Sequence, residues 1–371
     1  MEIIHVAPPF LPIREDMEYG GIERVIICLM REQRHAGHEV RIIAPSDSSI
    51  EGLIPTDESI SMDEFSKQSF TREEMTRLMK KKSRHNSKIV YAMDQMSDED
   101  AIFHIHYDHL GPFFPFIKVP FVFTLHLPFQ DFVVSGNTHE VPANGRLVSI
   151  SEKQRKFYKI QGYKVANVVY NGLDPDLFEY SAEKDDYLLS LSGIKPHKGQ
   201  HIAIEVAKKA GRPLIIAGNV ADADYFNEEV KPHIDHDISK ADDKLKAYYE
   251  LPSGPKIVFT GPVDDLEKRP LYARASKFLM PVKWDEPFGL VNIESLASGT
   301  PIIAFAKGAL PEIVDDGVTG AICRTVPEMV SAVSREYSAE ACRKSFMERF
   351  SSKAMADSYE RVYKDTLNQK L

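Results

Sequence analysis

Short apolar runs alternate along the chain with stretches in which apolar residues recur every three or four positions. The runs fall at residues 2–7, 39–44, 101–106, 120–126 and 147–151, and again at 187–192, 214–218, 256–263, 278–282 and 301–305. They are continuous rather than alternating, as expected of parallel strands covered on both faces. Between them, Ile22, Val25, Ile26 and Leu29 share one helical face, as do Ile202, Val206 and Ala207, and Leu290, Ile293, Leu296 and Ala297. Strand and helix in alternation predict an α/β chain with doubly wound sheets. The pattern divides into a first domain over 1–180 and a second over 181–350. A last helix over 351–371 carries Met355, Tyr359, Val362 and Tyr363 on its apolar side.

The stretch from Trp284 to Pro301, W-D-E-P-F-G-L-V-N-I-E-S-L-A-S-G-T-P, carries the most chemistry. Pro287 and Gly289 make a loop after one strand, and a helix starts near Gly289. The first amides of that helix have no intrahelical partner and favour an anion at the carboxyl edge of the sheet. Two carboxylates, Glu286 and Glu294, bracket this start with seven residues between them. A carboxylate accepts paired hydrogen bonds and suits the vicinal diol of a ribose or hexose. Taken singly, each reads more simply as a solvated loop glutamate or one that complements the helix dipole.

Other features are weaker. Gly20-Gly21 opens the first helix, and a glycine pair alone is more often a turn than a phosphate cradle. His104 and His106 form an H-x-H pair, but no third ligand has metal-site spacing, so they read as strand-end histidines and no metal site is expected. The basic run Arg77, Lys80, Lys81, Lys82 and Arg84 reads first as a solvated helix face, and second as a peripheral membrane contact. Asn171-Gly172 is a turn signal.

E-P-F-G-L-x-x-x-E, then A-S-G-T-P-I-I-A, then G-A-L-P-E-I-V-D-D-G-V-T-G together resemble the E-x7-E block of the retaining group 1 glycosyltransferases, of glycosyltransferase family four type. The resemblance implies the GT-B fold: two Rossmann-like doubly wound domains facing a cleft, with the C-terminal helix crossing back to the first. It implies transfer of a sugar from a nucleotide-diphosphate donor (UDP-, GDP- or ADP-sugar) to a hydroxyl on a carbohydrate, lipid-linked or small-molecule acceptor, with no metal and no cofactor. By the same resemblance Glu286, with Phe288, Gly289 and Leu290, holds the transferred sugar, and Glu294 the nucleotide ribose. Lys198 neutralises the leaving diphosphate, Gly20 and Gly21 approach it, His126 contacts the sugar, and Val263 frames the base through its backbone. The family places an arginine five positions before the lysine, where this chain has Gly193; Lys195 is the nearest cation and the expected substitute. The alternatives are a GT-B epimerase or phosphorylase, and a non-catalytic nucleotide-sugar-binding protein.

Composition narrows this further. The chain has 371 residues, 43% hydrophobic and 27% charged, with net charge -9. That is globular, and its acidity argues against nucleic acid as a partner. Cys28, Cys323 and Cys342 lie far apart and read as reduced, incidental thiols. With no apolar run of membrane-spanning length and no leader-like start, the expected location is cytoplasmic. Oligomeric state is open.

Overall fold

The computed structural model describes residues 1–17, 20–60, 71–96, 101–128 and 141–368. The chain forms two compact units, one of residues Met1–Gly172 with Ser352–Leu371, the other Leu173–Ser351.

In the first unit, strands β1 (Glu2–Val6), β2 (Glu39–Ala44), β3 (Leu53–Pro55), β4 (Ala101–Ile105), β5 (Phe121–Leu125), β6 (Gly145–Ser149) and β7 (Val165–Val168) make one sheet. Its order is β3-β2-β1-β4-β5-β6-β7 and every pairing is parallel. Helix α1 (Gly21–His35) follows β1, α2 (Arg72–Gln95) precedes β4, and α3 (Glu152–Ile160) follows β6. The Ser151 hydroxyl caps α3 by accepting from Gln154 N. Helix α2 is closed by a Thr71–Glu74 capping box, and its Arg77, Lys80 and Arg84 are exposed while Lys81 and Lys82 are half-buried.

In the second unit, β8 (Leu188–Leu191), β9 (Leu214–Ala217), β10 (His236–Asp237), β11 (Ile257–Gly261), β12 (Lys277–Met280), β13 (Ile302–Phe305) and β14 (Gly320–Cys323) form a second parallel sheet, ordered β10-β11-β9-β8-β12-β13-β14. Its helices include α4 (Gln200–Ala210), α5 (Asp265–Arg274), α6 (Leu290–Ala297), α7 (Val326–Val333) and α8 (Ala339–Arg349). The last helix, α9 (Ser352–Asn368), packs against α1 and β5 and so belongs to the first unit.

Both sheets reverse their winding direction once. The chain runs outward from β1 to β2 and β3, then returns to place β4 on the other side of β1; likewise it runs from β8 to β9 and returns to place β12 beside β8. The crevice at the carboxyl ends of the strands at such a switch point is where open α/β sheets bind ligands. The division between units falls after Gly172 rather than after residue 180. Residues 173–180 pack into the second unit, where Leu173 N donates to Phe350 O at 3.0 Å and the rings of Phe178 and Phe346 meet edge to face at 6.0 Å. All three cysteines are free and buried.

Candidate active site

The switch point of the second sheet brings together the loops after β8 and β12. The first carries Gly193, Lys195 and Lys198; the second carries Trp284, Glu286 and Gly289. Lys283 N donates to His197 O at 2.8 Å and ties one loop to the other. Across this join, Lys198 Nζ bonds Glu286 Oε2 at 2.6 Å. Trp284 Nε1 donates to the same carboxylate oxygen at 3.1 Å. The Lys198 ammonium also lies over the Trp284 ring, 5.2 Å from its centroid, and the His197 ring meets that indole edge to face at 5.2 Å. Burial and the Lys198 and Lys195 charges hold the His197 imidazole below its ordinary pKa. The pair therefore has one anion and one cation, each already oriented.

Helix α6 starts where the sequence places it. Gly289 caps it at φ 83, and a Cβ added there would lie 2.6 Å from Asn292 Nδ2 and 3.1 Å from Glu286 Cγ. A side chain is excluded, and the helix start stays open to a ligand. The backbone of Glu286 is gripped in turn: Ala309 N donates to its carbonyl at 2.9 Å, and Gly308 N donates to Asp285 Oδ1 at 2.9 Å. Gly308 passes so close that a Cβ would meet Glu286 O at 2.1 Å.

Glu294, one turn into α6, is buried and 3.3 Å from Lys268 Nζ on α5. Lys268 is paired also with Asp265. The two glutamates thus have separate cations and separate surroundings. Phe288 is buried, its ring edge to face with Phe350 at 6.0 Å, so its side chain belongs to the core and only its backbone is left for a ligand. Lys195 is exposed, and Lys198 N donates to its carbonyl at 3.0 Å. Gly193 is not among the positive-φ glycines, and a Cβ there would make only ordinary contact, 3.4 Å from Asn219 Oδ1. Val263 follows β11 and is half-buried.

Gly20, Gly21 and His126 fall in the first unit. Gly20 caps α1 at φ 111, and a Cβ there would lie 2.6 Å from Oε2 of Glu23, which is itself buried. His126 follows β5 and is buried, with Nε2 at 2.9 Å from His106 Nδ1. The structure also supplies the third histidine absent from the H-x-H spacing: nitrogens of His5, His104 and His106 lie within 4.8 Å of one another, all three rings buried. Sequence reasoning missed His5 because it comes from β1, missed Lys268 because it stands out from its neighbours only by contact, and gave Trp284 no role because its bond to Glu286 is not marked by spacing.

A parallel sheet with charged groups and an open helix start at its switch point marks a doubly wound α/β protein, here of two Rossmann-like units. The model for group 1 glycosyl transferases matches residues 177–354, and that for glycosyltransferase family 4 matches residues 19–177. The chain belongs to the group 1 glycosyltransferases of the family four type. It is 31% identical over 130 residues to an uncharacterized 41.2 kDa protein in the cps region of Klebsiella pneumoniae, covering 33% of this chain and 36% of that one. To the D-inositol 3-phosphate glycosyltransferase of Mycobacterium tuberculosis it is 26% identical over 194 residues, covering 48% and 38%. The aligned stretches therefore span little more than a third of these relatives. Similar structures include a glycosyltransferase involved in avilamycin A biosynthesis (TM-score 0.67, 21% identity, 99% and 98% of the two chains) and sucrose-phosphate synthase from Thermosynechococcus elongatus (TM-score 0.71, 16% identity, 99% of each). Anabaena HepE in complex with UDP-glucose also matches (TM-score 0.65, 16% identity, 98% and 100%). These establish the GT-B fold.

Proposed function

We propose that the protein is a retaining glycosyltransferase that moves a sugar from a nucleotide-diphosphate donor to a hydroxyl acceptor without a metal ion or a resident cofactor. The observation that carries this reading is the Lys198–Glu286 pair beside the α6 start. An arriving diphosphate offers Lys198 a stronger partner than the single carboxylate, and the exchange frees Glu286 to accept hydrogen bonds from the sugar. Lys198, the amides at the start of α6 and, from its exposed position, Lys195 then stabilise the charge that develops on the departing diphosphate. Such fixed donors are worth about 3 to 4 kcal/mol each when aimed at the transition state. Glu294, held by Lys268, takes the ribose hydroxyls. The structure with UDP-glucose among the GT-B neighbours makes a nucleotide sugar the first donor to test.

The chemistry asks nothing of a divalent ion, because lysines and helix amides occupy its role. No helix among the described residues is long and apolar enough to cross a membrane. The deciding experiment is a thermal-shift screen of UDP, GDP and ADP sugars followed by turnover with the best donor, in the presence and absence of EDTA. A donor at a hundred times its Kd stabilises by about 2.7 kcal/mol. Turnover that survives chelation is expected; loss in EDTA with restoration by magnesium or manganese overturns the metal-free mechanism.

A further inference from the structure

The buried histidines of the first unit form a directed chain of hydrogen bonds. His5 Nε2 lies 2.7 Å from Gln33 Oε1, His5 Nδ1 lies 3.0 Å from His106 Nε2, and His106 Nδ1 lies 2.9 Å from His126 Nε2. An amide oxygen only accepts, so His5 Nε2 carries a hydrogen. In a neutral ring the other nitrogen is then bare, and His5 Nδ1 accepts from His106 Nε2–H. The same step repeats, and His106 Nδ1 accepts from His126 Nε2–H. Burial supports neutral rings throughout: the His5 imidazole is lowered to about 4, that of His126 to about 3, and His106 falls well below its ordinary range.

The other end of Gln33 presents its nitrogen to a hydroxyl. Its Nε2 donates to Tyr363 Oη at 2.9 Å, which leaves the Tyr363 hydroxyl hydrogen for His104 Nδ1 at 2.7 Å. His104 Nε2 then donates to Thr124 Oγ1 at 2.7 Å, and Thr124 meets Tyr359 Oη at 2.7 Å. From His126 to Thr124 the hydrogens run one way with no contradiction. The cluster could hold a metal ion by proximity alone. Yet both nitrogens of each of its three rings are already engaged, so an ion would have to break the chain.

The geometry points to Gln33 as a positioning residue that acts through His5 and His106 to fix His126 as the Nε2–H tautomer, with Nδ1 as its bare, accepting nitrogen. Turning the amide of Gln33 over would reverse every hydrogen in the chain. One buried amide on α1 therefore sets the chemical character of a ring at the end of β5. The consequence rests on the proposed reading of His126 as a sugar contact: the residue accepts a hydrogen from a donor-sugar hydroxyl and does not give one.

The tautomer can be read without substrate, from long-range proton–nitrogen correlation spectra of ligand-free protein labelled with nitrogen-15 in histidine, near pH 7. The expected result is a His126 with Nε2 protonated and Nδ1 bare. Gln33→Glu keeps an acceptor facing His5 and retains that state, whereas Gln33→Met leaves the direction unset and gives a mixture. In turnover with a UDP-sugar, Gln33→Met lowers kcat about two- to tenfold, the effect of one neutral hydrogen bond, and adds nothing in a His126→Ala background. A protonated Nδ1 in the wild type, an unchanged tautomer or an unchanged kcat in Gln33→Met, additive losses in the double variant, or stoichiometric zinc in the purified protein would each overturn the proposal. Absence of glycosyl transfer, by contrast, removes the functional reading and leaves the spectra standing.

Discussion

Acid should unfold the first unit before its carboxylates begin to titrate. His5, His104, His106 and His126 are all buried, and burial lowers all four, His5 to about 4 and His126 to about 3. In the unfolded chain each imidazole regains its ordinary value near 6.5. As pH drops through 6.5 the unfolded state takes up protons that the folded state refuses. Stability is therefore full above 6.5 and lost on the way down toward the folded values, below which the loss levels off. Between pH 6 and 5 the four groups together remove about 5 kcal/mol, a quarter of it each. That is comparable with the whole stability of an ordinary domain. Urea titrations at half-unit pH steps would measure it. The single tryptophan, Trp284, reports on the second unit, so the signal must come from near-ultraviolet dichroism of Tyr359 and Tyr363 or from amide exchange in β1 and β4. His126→Gln should remove one ring's share of the pH slope, to which His85 and His109, also lowered by burial in this unit, contribute beside the four. A flat stability between pH 6.5 and 5 would refute the argument, since it would require the four rings to be charged or open to water in the folded state.

The remaining expectations concern the second unit. Glu294→Ala should chiefly raise the donor KM and Glu286→Ala chiefly lower kcat, each by the roughly 1.5 to 3 kcal/mol of hydrogen bonds to a charged group; steady-state kinetics showing equal effects on both parameters in both variants would contradict the division. Lys195→Ala should cost about 3 to 4 kcal/mol of transition-state stabilisation. Gly193→Arg should partly restore it, because that backbone needs no positive φ and a side chain finds space; wild-type turnover in Lys195→Ala would leave Lys198 and the α6 amides as the phosphate site. Gly308→Ala should push the Glu286 backbone aside, since a Cβ would sit 2.1 Å from its carbonyl oxygen. A displacement of about 1 Å costs on the order of a hundredfold in rate, so unchanged kcat in a folded Gly308→Ala protein would show that Glu286 need not be held.

The layers were legible because parallel strands buried on both faces leave continuous apolar runs, and the helices between them leave a regular stripe. The α6 start was legible for a similar reason: Pro287, Gly289 and the apolar spacing after them are local signals. What could not be read is contact across the fold. Gln33 reaches Tyr363 over 330 positions, and nothing in the spacing of either marks the pairing. The resemblance gives Phe288 a role for its backbone amide and says nothing of its ring, which lies in the core, because a motif gives the position of a backbone but not the direction of a side chain. Lys268 lies 26 positions before Glu294 in a helix whose polar residues look alike from the sequence.

Helix α9 gives the first unit two ends of the chain and the second unit an unbroken middle. During synthesis the order of completion is therefore the reverse of the order of appearance. Strands β1 to β7 await α9 while the whole of residues 173–351 is made, an interval of roughly ten to thirty-five seconds at ordinary elongation rates. Throughout it, Gln33 and His104 lack the Tyr363 hydroxyl and Thr124 lacks Tyr359. A chain cut short before Tyr359 would carry a whole second unit and a first unit whose polar core is still open to water.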